Sequence, residues 1–153
     1  LCDRRQRQMC IRDRRICGNR FEGTNIYKRG EYYYLFASIG TCCNGATSTY
    51  QTVVGRSKNV LGPYLDKTGR DMLYDYCEII MSGNETWAGP GHNSILIQDD
   101  VGTDWIIYHG YKKKEAENGR YVLMDKLIWS NDGWPSVKSN APSILEVAPY
   151  FQK

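Results

Sequence analysis

The chain has 153 residues, 24% of them charged and 41% hydrophobic, and a formal net charge of +3. That length suits one ordinary domain with a sizeable core, and a mean hydropathy of −0.56 without any apolar run of ~18–20 residues excludes a membrane-spanning helix. The charge divides unevenly. Residues 1–20 hold seven arginines against two aspartates, a balance of +5, which leaves 13 basic and 15 acidic side chains in residues 21–153, a balance of −2.

Residues 1–20, LCDRRQRQMCIRDRRICGNR, have neither helical nor strand periodicity and no signal-peptide core. One reading is a basic arm for nucleic acid or an anionic surface. Against it, the segment carries no aromatic residue for base stacking, and the rest of the chain does not extend the positive charge. The other reading is a disordered or non-native tail. The stretch Gln8-Met9-Cys10-Ile11-Arg12-Asp13-Arg14 resembles translated sequencing-linker sequence, so native sequence is expected to begin between Ile16 and Phe21. Of the six cysteines, Cys2, Cys10 and Cys17 lie in this segment; Cys42, Cys43 and Cys77 do not have the spacing of a metal finger. Adjacent cysteines such as Cys42 and Cys43 rarely pair, because a disulfide prefers Cα atoms farther apart.

From residue 21 the chain is rich in Tyr, Trp, Val and Ile and is punctuated by Gly, Asn and Asp, an all-β signature. Strands are predicted over 25–28, 31–38, 49–57, 94–98, 105–111, 121–129 and 143–148, with a tight turn at Arg29-Gly30 and a longer loop over 99–104. Helix content is expected to be very low. The pattern repeats: Asn25-Ile26-Tyr27-Lys28 followed by Tyr32–Phe36 is echoed by Asn93-Ser94-Ile95-Leu96-Ile97 followed by Trp105–Tyr108. A period near 70 residues with about four strands per unit fits β-propeller blades; a self-contained sandwich is the alternative. On the propeller reading the chain holds about two blades and a remnant, too few to close a ring.

In a propeller the ligand gathers where the innermost strands meet the axis, so the openings of the two units are the candidate chemistry. The first, Phe21-Glu22-Gly23-Thr24-Asn25, sets a carboxylate between an aromatic and a glycine. The second, Trp87-Ala88-Gly89-Pro90-Gly91-His92-Asn93-Ser94, puts His92 near the position corresponding to Glu22. Beside glycines and a Trp, His92 suits a metal or a sugar hydroxyl; the plain alternatives are a solvated carboxylate and a loop histidine bonded to backbone. The Tyr32-Tyr33-Tyr34 run reads as core packing, Trp87 as a loop aromatic for stacking on sugar, and Asn84-Glu85-Thr86 has the form of a glycosylation acceptor.

These residues resemble a family. Phe21–Lys28 with Tyr32–Ser38 looks like the acid-bearing blade of family 43 glycoside hydrolases, which are five-bladed propellers. Ser48-Thr49-Tyr50, Val54-Gly55-Arg56-Ser57, Gly62-Pro63-Tyr64, Gly91-His92-Asn93-Ser94 and Asp132-Gly133-Trp134-Pro135 continue the match in order over residues 21–136. The run Phe36-Ala37-Ser38-Ile39-Gly40-Thr41-Cys42-Cys43 resembles the arabinan endo-1,5-α-L-arabinosidases of that family.

The resemblance implies hydrolysis of α-1,5-linked L-arabinan with inversion, by an acid on one face of the sugar and a base-activated water on the other. Glu22 matches the general acid. The family's base and the aspartate that tunes the acid precede it in chain order; here only Asp3 and Asp13 do, in no matching strand context, so residues 21–153 read as the C-terminal part of the propeller domain, without the base. His92 matches a histidine near the axis that helps hold a hydrated metal ion, commonly calcium, and Arg120 matches an arginine that contacts substrate in exo-acting relatives. The resemblance further implies an extracellular or periplasmic location and an arabinan or arabino-oligosaccharide substrate. An exo-acting α-L-arabinofuranosidase or β-xylosidase of the same family, and a non-catalytic sugar-binding propeller, remain as alternatives.

Overall fold

The computed structural model describes residues 15–152. Among them there are ten strands, a few short 3-10 turns and no α-helix, as the composition predicts. β1 (Glu22–Arg29), β2 (Tyr32–Ile39), β3 (Gln51–Ser57) and β4 (Glu78–Met81) form an antiparallel meander. β5 (Trp87–Gly91) and β6 (Ile97–Gln98) lie end to end along one edge of β7 (Asp104–Lys112), and β8 (Tyr121–Lys126) pairs with its other edge. A short pair, β9 (Ile128–Trp129) with β10 (Pro135–Ser136), follows.

Strand periodicity explains the packing. Successive side chains of β2 point to opposite faces, and both faces are covered. Tyr34 and Phe36 enter one core with Val54, Ile80 and Met81 of the same sheet and Leu96, Ile106, Tyr108, Leu127, Trp134 and Val137 from the second half. Leu35, Ala37 and Ile39 enter a second core with Phe21, Val53, Tyr64 and Met72. A strand buried on both sides reads as the continuous apolar run seen here. The Tyr32–Tyr34 run packs as expected: Tyr34 is in the first core and donates to Gly133 O at 2.6 Å, while Tyr33 lies against the second.

The shared core is tied by polar contacts between the halves. Asp104, buried at the start of β7, accepts from Tyr27 Oη at 2.7 Å, Trp129 Nε1 at 2.8 Å and Gln98 Nε2 at 3.1 Å, and pairs with Arg29 Nε at 3.3 Å. Burial and then this carboxylate push the Tyr27 phenol up to about 12. Arg56 stacks between Tyr32 and Trp134, 4.5 and 4.4 Å from their ring centres, and donates to Asp132 O at 2.6 Å. The segments Val54–Ser57 and Asp132–Pro135 thus meet each other in the fold.

Several strand boundaries differ from expectation. The first turn is the two-residue Gly30-Glu31, since Arg29 pairs with Tyr32. β4 and β5 were not anticipated: β4 is only four residues long, and the Gly and Pro of β5 are poor strand formers. The predicted strand 121–129 breaks at Leu127, whose amide donates to Asp104 O at 2.8 Å while its side chain enters the core. Pro135 starts β10, a two-residue strand outside the predicted ones. Residues 143–148 form no strand; Ile144, Leu145 and Val147 are exposed.

Of the basic segment 1–20, residues 1–14 lie outside the described residues. Within the rest, Gly18 N donates to Met72 O at 2.8 Å and Cys17 packs against the second core.

Candidate active site

The two unit openings come together in space. Glu22, the first residue of β1, pairs with Ser38, and the register then shifts before Asn25. Gly23 lies in this bulge at φ +58°, a conformation that favours glycine. A Cβ at Gly23 would stand 3.0 Å from Cγ of His92, so the bulge that follows Glu22 packs against that ring. His92 itself has φ +52° between β5 and β6, and its amide donates to Ser38 Oγ at 2.7 Å. Ser38 therefore serves both openings. Asn25 Nδ2 adds a bond to Asn93 O at 3.2 Å. Both the Glu22 and His92 side chains face solvent.

Two further residues, His109 and Tyr50, which are not among the predicted site residues, complete the cluster. His109 on β7, opposite Gly91, stacks on His92 at 6.1 Å and on Tyr50 at 5.8 Å between ring centres. Its Nδ1 is buried without a partner. Burial, then the Arg120 charge and His92, hold its pKa below the ordinary 6.5, so the ring is neutral near pH 7. Tyr50 approaches so closely that a Cβ on Gly91 would lie 2.3 Å from its Cδ1. The Tyr50 hydroxyl is near enough to Ser38 and Glu22 to feel both, yet has no partner in hydrogen-bond geometry. Its pKa is raised, by burial first and then by the Glu22 charge, partly offset by Ser38. The available signals were a histidine inside the apolar strand Trp105–Tyr111 and a tyrosine just before Gln51–Ser57; neither reveals a partner by itself.

Arg120 joins the rim. Its Nη1 is 4.0 Å from Cys43 Sγ, and Cys42 feels both Arg120 and Glu22. Trp87 does not lie in a loop. It is the first residue of β5, pairs with Lys112 at the far end of that strand from Gly91, and packs edge-on against Tyr121 at 5.8 Å. The residue is half-buried. The Asn84 amide is also engaged: Nδ2 donates to Pro142 O at 2.9 Å, and Oδ1 accepts from Thr86 N and Trp87 N.

Among the described residues no three His, Cys, Asp or Glu side chains gather as a metal-holding group. His92 is the solvent-facing imidazole of the cluster. A concavity of about 560 Å³ is lined by residues such as Asp104, Leu127 and Trp129 and includes none of this cluster. An exposed acid, a neutral histidine, a cationic arginine and a buried phenol on strand ends can donate a proton and bind hydroxyl groups.

The sequence profile of the glycosyl hydrolases family 43 matches residues 10–135. The chain belongs to that family. It is 42% identical over 132 residues to the "Extracellular exo-alpha-(1->5)-L-arabinofuranosidase ArbA" of Cellvibrio japonicus, covering 86% of this chain and 37% of that protein. It is 41% identical over 120 residues to the "Extracellular endo-alpha-(1->5)-L-arabinanase 1" of Bacillus subtilis, covering 78% of this chain and 35% of the relative. Among solved structures, the Cellvibrio cellulosa α-L-arabinanase complexed with arabinohexaose superposes with a TM-score of 0.73 at 44% identity, over 78% of this chain and 37% of that one. The chain thus spans little more than a third of these relatives. Among the described residues, no helix is long and apolar enough to cross a membrane.

Proposed function

We propose that this chain is part of a secreted or periplasmic family 43 glycosidase that cleaves α-1,5-linked L-arabinan with inversion, its two four-stranded sheets being blades of a five-bladed propeller. The observation that carries the reading is the packing of the bulge after Glu22 against His92, with Glu22 and Arg120 both near enough to act on Cys42. Glu22 acts as general acid. It gives its proton to the leaving oxygen as the glycosidic bond breaks, and the bonding pair departs with that oxygen. A water activated by a carboxylate on the opposite face attacks the anomeric carbon and inverts it. That base and the aspartate that tunes the acid are assigned to sequence outside this chain. His92 and Arg120 bind hydroxyl groups or ring oxygens of the sugar, and His92 would help hold a hydrated calcium ion. Neutral His109 and Tyr50 fix the His92 ring from behind.

The relatives support both modes of action, since one is named as exo-acting and the other as an endo-arabinanase. Products released from linear arabinan by the full-length protein distinguish them. A ladder of oligosaccharides supports endo cleavage, and release of single sugars or one short product from chain ends supports the exo reading. No hydrolysis of arabinan or of arabino-oligosaccharides by the full-length protein would overturn the proposal and leave a sugar-binding propeller.

A further inference from the structure

Cys42 and Cys43 sit on the loop between β2 and β3, on the same rim as Glu22 and Arg120. The loop is pinned around them: Thr41 N donates to Thr49 Oγ1 at 3.1 Å, Thr49 N to Thr41 O at 3.1 Å, and Asn44 N to Ser48 Oγ at 3.0 Å. Cys43 takes the left-handed conformation at φ +71°, and the two sulfurs face each other 2.7 Å apart. That separation is inside the contact distance of unbonded sulfur atoms and requires only a small approach to reach a bond of about 2.05 Å. Cys43 is the more exposed of the two, and Arg120 Nη1 lies 4.0 Å from its sulfur.

We propose that Cys42 and Cys43 are a redox modification site that closes reversibly to a vicinal disulfide on the rim of the candidate active site. The oxidant is a low-molecular-weight disulfide. Cys43 thiolate attacks one sulfur of it, expelling a thiolate and leaving a mixed disulfide on Cys43. Cys42 thiolate then attacks Cys43 Sγ, forms the intramolecular bond and expels the second thiolate. Two electrons pass from the cysteine pair to the oxidant, and the two cysteine protons end on the released thiols. Consecutive Cα atoms are only about 3.8 Å apart, below the usual ~4.4–6.8 Å of a disulfide, so the bond is strained and easily reduced. Closure replaces two polar thiols by a flat sulfur face.

The test uses the native chain, glutathione disulfide and peptide mapping. Trypsin releases Gly30–Arg56, which contains Cys42 and Cys43 and no other cysteine. After oxidation of the folded chain and alkylation, this peptide is expected to be lighter by two hydrogens and to carry no alkyl group; dithiothreitol restores two alkylation sites. Closure is expected to be slower in denaturant, and Cys43→Ser abolishes it. A peptide that takes two alkyl groups or stable glutathione adducts after oxidation of the native chain overturns the proposal. Equal closure rates in native and denatured chain overturn the claim that the fold positions the pair.

Discussion

Gly23 and His92 touch across the two halves of the chain: a Cβ on the glycine would meet the imidazole Cγ at 3.0 Å and Cδ2 at 3.2 Å. Gly30 has nearly the same φ, +57° against +58°, but open space around it. Gly30→Ala is therefore expected to cost about 1 kcal/mol, from the left-handed backbone alone. Gly23→Ala carries that cost plus displacement of His92, roughly 2–3 kcal/mol in all. Urea midpoints of the two variants measure the difference; equal losses would show that the His92 contact is slack.

In the full-length protein, Glu22→Gln keeps the shape of the side chain and removes the transferable proton. Turnover on arabinan is expected to fall by roughly 10²–10⁴ with KM little changed. A near-normal rate would remove Glu22 from the acid role.

His109 gives the fold a pH dependence of known sign. Its folded pKa lies below the ordinary 6.5, chiefly through burial, so below about pH 7 the unfolded chain binds more protons at this residue than the folded one. Stability from this group is complete above 6.5 and falls as the pH drops through 6.5 toward the folded value. His109→Gln is expected to lose that part of the slope. Urea unfolding of both chains at pH 7.5 and pH 5.5 checks it, and parallel pH profiles would refute it.

Asp104 joins the halves through Tyr27, Arg29, Gln98 and Trp129. Asp104→Ala leaves these donors around a buried gap and is expected to cost about 2–4 kcal/mol. Thermal or urea unfolding measures it. Asp132→Ala, at an exposed residue whose backbone oxygen rather than its side chain binds Arg56, is expected to stay within about 1 kcal/mol.

Strand content, the repeat and the two openings were legible because they rest on local pattern. The continuous apolar run in Tyr32–Ser38, the glycine turn after Arg29 and the paired Asn25 and Asn93 segments need no knowledge of partners. Trp87 was misplaced for the converse reason: Gly89-Pro90-Gly91 reads as loop, and only pairing with β7 makes Trp87–Gly91 a strand. Residues 143–148 failed oppositely, since their apolar residues look strand-like but no neighbouring strand pairs with them among the described residues.

By itself the sequence determined an all-β chain, the family resemblance and Glu22 and His92 as the residues to examine, because residue type and spacing carry backbone preference and side-chain chemistry. Tertiary structure alone decided that Gly23 lies against His92, that His109 and Tyr50 stand behind it, and that Arg120 shares a rim with Cys43. These contacts join residues far apart in the chain. Their geometry is set by sheet register and by packing around a common core, and neither quantity is written in any one segment.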